Sequence, residues 1–422
     1  MDYLINEEKK ERALLIGVDT GEFDADVSIN ELEELADTAG AEVVAQMLQK
    51  RSTVEGATFV GKGRLEEIAE FCEGNEIDVI IADAELSPVQ VRNIEDATNV
   101  RVIDRTTLIL DIFAGRARSK EGKLQIELAQ LKYSLPRLTG KGTSLSRLGG
   151  GIGTRGPGET KLETDKRHIR RRIQYIKNEL DAVEKRRAMQ HNRRKKNGAL
   201  VVAIVGYTNA GKSTLLNYLT DAGVLQEDKL FATLDPTARK LALPNGEQIM
   251  LVDTVGFISR LPHQFVEAFK STLEEATYAD VILNVCDSSS EQCYEHIKTT
   301  DDILKSLFDD GIIDVPVIYV FNKCDISNGL NSDIYGRMNG ERCVKISAAT
   351  GEGVDALLTE IENALPLSRK RVRMTLPFDK ISIASKIRAD GIVHEQEYTE
   401  DGLLLDATVN ISILDEIKDY IV

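Results

Sequence analysis

The stretch LVVAIVGYTNAGKS, residues 200–213, decides the fold of this chain. Its apolar first half predicts a buried β-strand, and its second half fits the pattern GxxxxGK[ST] of a phosphate-binding loop that opens a helix. Gly206 and Gly211 let the backbone curl so that successive N–H groups point at phosphate oxygens. The positive end of the helix adds to that attraction. The stretch therefore predicts a nucleotide-binding α/β domain with a mostly parallel sheet.

The metal site is predicted from two segments. Lys212 is expected to reach the β- and γ-phosphates, and the Ser213 hydroxyl is expected to ligate Mg²⁺. The run DTVGF, residues 253–257, follows an apolar strand pattern. Asp253 is expected to hold the metal through a water, and the N–H of Gly256 is expected to sense the γ-phosphate.

The base is predicted from NKCD, residues 322–325, which follows the apolar run VPVIYVF. Asp325 can accept hydrogen bonds from guanine N1–H and from the 2-amino group. Adenine lacks that edge and would leave the carboxylate unpaired. Asn322 is expected to hold the loop and the N7/O6 side, and Lys323 to lie over the ring. GTP is therefore the predicted substrate.

Two further segments complete the predicted site. In SAATGEG, residues 347–353, the N–H of Ala348 is expected to face the guanine O6. FATLDPT, residues 231–237, is the expected mobile segment, in which a threonine completes the Mg²⁺ shell when the γ-phosphate is present. Thr233 is our choice, with Thr237 as the alternative. The pattern KLALPNGEQIML that follows predicts a hairpin through Asn245-Gly246.

The predicted site residues fall into three groups. The predicted metal ligands are Ser213, Thr233 and, through a water, Asp253, and the predicted catalytic residues are Lys212, Thr233, Gly256 and Asn209. The predicted nucleotide-binding residues are Gly206, Tyr207, Thr208, Asn209, Ala210, Gly211, Lys212, Ser213, Thr214, Phe231, Ala232, Thr233, Leu234, Asp235, Asp253, Thr254, Val255, Gly256, Asn322, Lys323, Cys324, Asp325, Ser347, Ala348 and Ala349.

Bulk properties restrict the class of protein. The 422 residues are 42% hydrophobic and 29% charged, which is ordinary for a globular protein of two to four domains. The five cysteines form no CxxC pair, so a disulfide framework or a cysteine metal site is not expected. The first residues show no signal pattern, and no apolar run reaches the length of a membrane span. We expect a cytoplasmic protein without integral membrane association.

The net charge of −16 is unevenly distributed. Residues 1–115 carry a net charge of about −16, residues 116–196 about +15 and residues 197–422 about −15. The basic segment either is a solvated helix surface or an intramolecular clamp, or it binds a polyanion through phosphate contacts. The second interpretation is favoured by the organisation of the segment.

The basic segment predicts an antiparallel helical hairpin. Leucines at positions 124, 128, 131, 135 and 138 are spaced by three and four residues, as are Ile169, Ile173, Ile176, Leu180 and Val183. These are two matching coiled-coil seams. The glycine-rich, basic stretch between them, residues 139–159, cannot be helical and forms the tip; Lys141, Arg147 and Arg155 are its candidate phosphate contacts. A linker joining two unrelated helices is the alternative.

The flanking regions predict two smaller domains. Residues 13–112 alternate strand and helix patterns, which implies a parallel sheet covered by helices. Ser28 with Glu31 suggests a capping box, and Ser87 with Pro88 suggests another helix start. The segment FVGKGRLEE (59–67) is either a plain turn or an anion site. The tail predicts a strand, a helix, a hairpin around TEDG and a last apolar helix.

The predicted architecture has four parts. An α/β domain (1–115) precedes the basic hairpin (116–196, tip 139–159), the P-loop GTPase domain (197–368) and a small α+β domain (369–422). The nucleotide motifs resemble the Obg-like branch of translation-factor-class GTPases. The α/β domain, the hairpin and its tip RLGGGIGTRGPGETKLETDKRHI resemble the HflX family, and this resemblance covers nearly the whole chain.

The resemblance implies a function. HflX proteins are cytoplasmic GTPases that bind the large ribosomal subunit and separate stalled or idle ribosomes, and some also bind ATP through the N-terminal domain. Arg155, Lys161, Lys166 and Arg167 are then candidate contacts to ribosomal RNA. We expect a monomer. Two other functions stay open: a GTP-regulated adaptor without an RNA role, and a nucleic-acid-dependent ATPase regulated by the GTPase domain.

The resemblance also bears on hydrolysis. In many related GTPases a glutamine that orients the attacking water follows the glycine at position 256, and here it is Phe257. Unaided turnover is therefore expected to be slow until the ribosome activates it. Asn209 stands where related GTPases hold a potassium ion against the phosphates. A loop-stabilising hydrogen bond from Asn209 is the alternative.

Overall fold

The computed structural model describes residues 10–138, 161–196, 199–220, 230–231, 237–260, 275–308, 310–327, 338, 340–366, 369–399, 402–410 and 413–422. These residues form a four-stranded parallel sheet, a helical hairpin, a six-stranded mostly parallel sheet and a three-stranded antiparallel sheet, in that order along the chain. The predicted fold class is confirmed. The hairpin tip and most of the segment 231–237 lie outside the described residues.

The N-terminal α/β domain alternates strands and helices as predicted. Its elements are β1 (Arg12–Asp19), α1 (Ala25–Thr38), β2 (Glu42–Lys50), α2 (Lys62–Asn75), β3 (Val79–Ala82), α3 (Pro88–Thr98), β4 (Arg101–Asp104) and α4 (Arg105–Arg116). The strand order is β2-β1-β3-β4 and all pairs are parallel. Apolar side chains on both faces of the sheet, such as Leu14 and Leu15, are fully buried under the helices, as expected for a parallel sheet.

One predicted helix start is right and one is wrong. Ser87 caps α3 in a capping box with Gln90, and Pro88 occupies the first turn. Helix α1, however, begins three residues before Ser28, because Asp24 is its N-cap and accepts a hydrogen bond from the N–H of Val27. Ser28 is instead buried inside the helix and donates to the carboxylate of Asp83 at 2.6 Å. The predicted capping box of Ser28 and Glu31 therefore does not form.

The helical hairpin has the predicted seam. Helices α5 (Lys120–Arg137) and α6 (Lys161–Lys196) pack through a small apolar cluster made by Leu124, Leu128, Leu131, Ile173, Ile176 and Leu180. A bidentate pair joins Arg172 of α6 to Glu127 of α5 at 2.6 and 2.8 Å. Bidentate geometry fixes both side chains, so this pair holds the two helices in register better than a single exposed ion pair would.

The nucleotide domain is built on a sheet of order β10-β9-β8-β5-β7-β6. Its elements are β5 (Leu200–Gly206), α7 (Lys212–Thr220), β6 (Thr237–Ala242), β7 (Gln248–Asp253), β8 (Val281–Asp287), α8 (Cys293–Leu307), β9 (Val317–Asn322), β10 (Arg342–Lys345) and α9 (Val354–Ala364). Only the β6–β7 pair is antiparallel, and it forms the predicted hairpin through Gly246, whose φ is +83°. The carboxyl ends of β5, β7 and β9 meet at one edge, where the predicted nucleotide motifs lie.

The C-terminal module is α+β, as predicted. Strands β11 (Arg369–Leu376), β12 (Ile392–Thr399) and β13 (Gly402–Asn410) form an antiparallel sheet of order β11-β13-β12. Helix α10 (Ile381–Asp390) covers one face through Ile383, Ala384 and Ile387, which are buried. The predicted last helix is a single turn, α11 (Leu414–Ile417).

The described residues form neither a membrane-spanning helix nor a metal-binding cluster of acidic, histidine or cysteine side chains. None of the described helices combines the length and the apolarity that crossing a membrane requires. In the same part of the chain, no group of three or more His, Cys, Asp or Glu side chains is arranged to hold a metal ion.

Candidate nucleotide site

The phosphate loop connects a fully buried strand to a helix. Both glycines of the motif are required by close neighbours: a Cβ on Gly206 would lie 2.2 Å from the carbonyl oxygen of Val285, and a Cβ on Gly211 would lie 2.2 Å from Nδ2 of Asn322. Both also have positive φ, +144° and +91°. Asn209 has φ +60° and is exposed at the outside of the loop. The sequence therefore folds here into the curled backbone that phosphate binding needs.

The lysine of the loop is buried. Its Nζ donates to the carbonyl oxygens of Gly206 at 3.1 Å and of Tyr207 at 2.7 Å. Burial lowers the pKa of Lys212 to about 8, while the carboxylate of Asp253 opposes this shift. The ammonium group is bound to loop carbonyls, and its contact with the β- and γ-phosphates stays a prediction.

Two of the three predicted metal-binding side chains meet. Ser213 Oγ lies 3.1 Å from Oδ2 of Asp253, although 40 residues separate them in the sequence. Asp253 is fully buried at the end of β7. A hydroxyl and a carboxylate at the start of the loop helix are hard oxygen donors of the kind that Mg²⁺ prefers. The residues present therefore fit a magnesium ion that also contacts phosphate.

Close by, the buried hydroxyl of Thr208 has no hydrogen-bond partner among the described residues, so it can donate to a phosphate.

The residues after Asp253 lie against the phosphate loop. Thr254 is buried and bonds to the carbonyl of Ile204 through both its N–H and its hydroxyl. A Cβ on Gly256 would lie 2.8 Å from Cγ2 of Thr208 and 3.0 Å from Nζ of Lys212. Only glycine fits this place. Gly256 thus lies beside the phosphate-loop lysine, and its contact with a γ-phosphate stays a prediction.

Phe257 is a core residue. Its ring is buried, with 2% of the residue exposed, in a large hydrophobic cluster. Its main chain extends the loop strand, because the N–H donates to Gly206 at 3.1 Å and the carbonyl accepts from Thr208 at 2.7 Å. The residue that stands where related GTPases have a glutamine thus has a packing role here.

The base-binding motif is held to the phosphate loop by Asn322. Its Nδ2 donates to the carbonyl of Ala210 at 2.9 Å, and its Oδ1 accepts from the N–H of Ala348 at 2.9 Å. Asp325 is exposed and accessible to a base. Lys323 has φ +62° and its Nζ lies 2.7 Å from Oδ2 of Asp287. The N–H of Ala348 is used by Asn322, so its contact with guanine O6 stays a prediction.

The remaining predicted positions are placed as follows. Ser347 is fully buried and Ala349 is exposed, in the turn that follows β10. Phe231 is buried, with φ +56°, and its ring contacts that of Phe113 in α4 edge-to-face at 4.5 Å between centroids. Thr237, the alternative to Thr233, is half-buried at the start of β6. Ala232, Thr233, Leu234 and Asp235 lie outside the described residues.

The sequence did not indicate that the N-terminal domain lies against the phosphate loop. The hydroxyl of Tyr207 donates to the carboxylate of Glu31 in α1, and it accepts from the N–H of Ser259 at 2.6 Å. Between the two domains is a cavity of about 630 Å³, lined by Tyr207, Thr208, Asn209, Glu31 and Glu34 among others. Burial and the neighbouring Glu31 raise the pKa of Glu34, and Lys323 opposes them. No local sequence pattern marks Glu31 as a partner of the loop.

Family models match almost the entire chain. The model described as "GTP-binding GTPase N-terminal" matches residues 26–114, and that described as "GTP-binding GTPase Middle Region" matches residues 116–194. The model "50S ribosome-binding GTPase" matches residues 201–323, and "HflX C-terminal domain" matches residues 334–416.

Individual curated proteins are also similar to this chain over most of its length. GTPase HflX of Caldanaerobacter subterraneus subsp. tengcongensis is 51% identical over 417 residues, which cover 98% of this chain and 94% of that protein. GTPase HflX of Escherichia coli K12 is 40% identical over 375 residues, covering 89% and 87%. Among solved structures, a GTP-binding protein from Sulfolobus solfataricus in complex with GDP is 27% identical, with a TM-score of 0.45, and covers 84% of this chain and 98% of that one.

Proposed function

This chain belongs to the HflX family of GTPases, and from this premise we propose that it binds the large ribosomal subunit and separates stalled or idle ribosomes into subunits. It hydrolyses GTP to GDP and phosphate, and we propose that hydrolysis permits its release from the subunit. The observation that carries the proposal is a strongly basic hairpin fixed to the domain that touches the phosphate loop.

The hairpin offers a surface for ribosomal RNA. Helix α6 carries exposed basic side chains along much of its length: Arg167, Arg170, Arg171, Arg172, Lys177, Lys185 and Arg186. Double-stranded RNA is recognised largely through its shape and its phosphates, and lysine and arginine contacts release counterions. The acidic domains on either side would be repelled by bulk RNA, so binding is directed to the hairpin. Arg155, Lys161, Lys166 and Arg167 stay candidate contacts to ribosomal RNA.

The hairpin is also rigidly attached. Tyr133 of α5 donates to the buried carboxylate of Asp104, which also accepts from the N–H of Leu86 at 3.0 Å. Arg137 of the same helix donates to the carbonyl of Leu86 at 2.9 Å. Burial and the neighbouring Asp104 raise the pKa of Tyr133, so this phenol stays neutral and keeps donating. We propose that these contacts couple movements of the hairpin to the N-terminal domain, which in turn contacts the GTPase domain.

The nucleotide would control this arrangement. Lys212 and the N–H of Gly256 contact the γ-phosphate in the proposed GTP state, and Thr233 joins them from the segment 231–237. Ser213 and Asp253 would hold Mg²⁺, which when bound neutralises charge on the β- and γ-phosphates. Because Phe257 cannot orient water, we propose that turnover is slow until the ribosome, and a potassium ion beside Asn209, supply the missing stabilisation.

Several features stay predictions. We expect the protein in the cytoplasm and in monomeric form, with domain boundaries near residues 115, 196 and 368. An ATP site in the N-terminal domain is also a prediction. In the segment 59–67, one candidate for an anion site, residues 62–67 form the start of α2 and Gly61 is its N-cap. The N–H of Gly61 donates to Gln49 at 2.8 Å, so this N–H already has a partner.

The proposal is tested by co-sedimentation with purified large subunits in a non-hydrolysable GTP analogue at increasing salt concentrations. We expect binding that weakens with salt and is lost when residues 139–159 are replaced by a short glycine linker. Addition of the protein with GTP to whole ribosomes should then yield free subunits. Binding that is independent of salt concentration and persists after replacement of residues 139–159 would favour an adaptor function instead.

A further inference from the structure

The N-terminal domain has a crevice of the kind that binds ligands in other α/β folds. In an open parallel sheet, ligands bind at the carboxyl ends of the strands, where the strand order reverses. Here the order β2-β1-β3-β4 places that point between β1 and β3. Asp83, the first residue after β3, is buried there, and Ser28 of α1 donates to its carboxylate.

The crevice is filled by an arginine from the GTPase domain. Arg260 Nη1 lies 3.0 Å from Oδ2 of Asp83 and 2.7 Å from Oγ of Ser28, and Nη2 lies 2.8 Å from the carbonyl oxygen of Asp83. Its guanidinium also lies over the ring of Phe23, 4.1 Å from the centroid. The guanidinium of Arg260 thus makes the polar and aromatic contacts that a ligand bound in this crevice would make.

A second contact fixes the residue before Arg260. The N–H of Ser259 donates to the hydroxyl of Tyr207, which itself donates to Glu31. The carbonyl of Ser259 accepts from the buried Arg105 at 3.2 Å, and Arg105 also holds Glu31 and Asp83. Residues 259 and 260 are therefore bound by the N-terminal domain through main chain and side chain together.

The same segment also lies against the lysine of the phosphate loop. In P-loop GTPases the phosphate loop lysine and the glycine of DxxG both approach the γ-phosphate, which lies between them. Here Gly256 is so close to the lysine that a Cβ would lie 3.0 Å from Nζ of Lys212. Phe257 is paired with Gly206 and Thr208, which prevents the glycine from withdrawing while the pairing lasts. GDP has no third phosphate, so its binding does not require space between Gly256 and Lys212.

We propose that the crevice of the N-terminal domain is a receptor for Arg260, and that Arg260 and Tyr207 determine the selectivity of the nucleotide site for GDP over GTP in the free protein. The docked arrangement accommodates GDP, whereas GTP must displace residues 256–260 and so undock Arg260. Docking and the γ-phosphate therefore compete, and by linkage each weakens the other by the same factor. The inference concerns the free protein and does not depend on ribosome binding.

The test compares affinities of the full chain for a fluorescent GDP and a fluorescent non-hydrolysable GTP analogue, without ribosomes. In Arg260→Ala, we expect affinity for the GTP analogue to rise about tenfold relative to that for GDP, within the usual range of coupling between sites. Arg260→Lys keeps the charge but loses the two-pronged contact and should show a smaller change. Glu31→Gln, which weakens the Tyr207 contact, should shift the ratio in the same direction.

The matched control is Arg101→Ala. Arg101 also forms an ion pair, with Glu11, but this pair lies at the amino ends of the strands, away from the crevice. The ratio of its affinities for the GTP analogue and for GDP should stay at the wild-type value. Hydrogen exchange gives an independent readout: the GTP analogue, but not GDP, should increase exchange in α1 of the wild type. Circular dichroism verifies folding. The proposal would be overturned if Arg260→Ala changed the affinities for both nucleotides equally. It would also be overturned if hydrogen exchange in α1 were the same with GDP and with the GTP analogue.

Discussion

The N–H of Phe257 donates a hydrogen bond to the carbonyl oxygen of Gly206 at 3.1 Å. This bond joins the residue after the DTVG run to the last residue of β5. It directs the phenyl ring into the core and the main chain along the phosphate loop. The position that other GTPases use for a water-orienting side chain is thus used here to hold two nucleotide-binding segments together.

We therefore expect Phe257→Gln to leave basal hydrolysis unchanged, because the new amide would enter a buried apolar pocket and not the phosphate site. Removal of the ring and burial of an amide should lower the free energy of unfolding by about 3 kcal/mol. Single-turnover hydrolysis and thermal unfolding measure the two effects. Phe257→Leu, with an apolar side chain, should cost less. If the glutamine variant reached the ribosome-stimulated rate, the absence of a glutamine at position 257 would be the cause of the slow basal hydrolysis.

The buried lysine predicts a pH dependence of nucleotide binding. Burial lowers the pKa of Lys212 to about 8 against the opposing effect of Asp253. Bound phosphates favour the charged form and raise this pKa, so above pH 8 binding must take up a proton. Affinity for GDP should be constant below pH 8 and should fall above it, by up to about tenfold per pH unit.

Calorimetry in two buffers of different ionisation enthalpy, between pH 7 and pH 9.5, counts the protons taken up. Lys212→Arg is the control, because a guanidinium stays charged over this range. Its weaker binding should show no such uptake. Equal proton uptake by both proteins would assign the titration to another group.

Guanine specificity predicts the effect of Asp325→Asn. The exposed carboxylate of Asp325 can accept two hydrogen bonds from guanine, and an amide can accept only one of them while presenting a donor. Affinity for GTP should fall about 100-fold, as expected when one hydrogen bond is lost and a donor is left facing a donor. Xanthosine triphosphate has a carbonyl at that position and should bind the variant better than GTP does. An unchanged preference would place the base away from Asp325.

Local patterns predicted those parts of the molecule whose determinants are close together in sequence. The phosphate loop, the hairpin at Gly246 and the seam through Leu124 and Ile176 each depend on a short run of residues, and each was predicted correctly. Ser28 and Glu31 fit the spacing of a capping box equally well, but Asp24 caps the helix. Their actual partners lie far away in the sequence, so no periodicity could indicate them.

The contact between the domains was missed for the same reason. Arg260 and Asp83 are 177 positions apart, and each lies in a segment of unremarkable composition. A buried aspartate after a parallel strand suggests a polar crevice, but it does not identify the residue that fills it. The roles of individual nucleotide-site residues stay predictions, since their spacing indicates a ligand that only binding experiments can test.

The last prediction concerns the charge of α6. Arg170 and Arg171 are exposed on this helix, and we expect Arg170→Glu and Arg171→Glu each to weaken binding to the large subunit. If each arginine contacts one phosphate, the slope of log affinity against log salt should become shallower by about one for each. Lys62→Glu is the matched control, because it reverses an equally exposed charge on α2 of the N-terminal domain. Equal losses in all three variants would show that net charge alone, and not the hairpin surface, determines binding. A loss confined to the α6 variants, with unchanged helix content by circular dichroism, would identify the hairpin as the RNA-binding element.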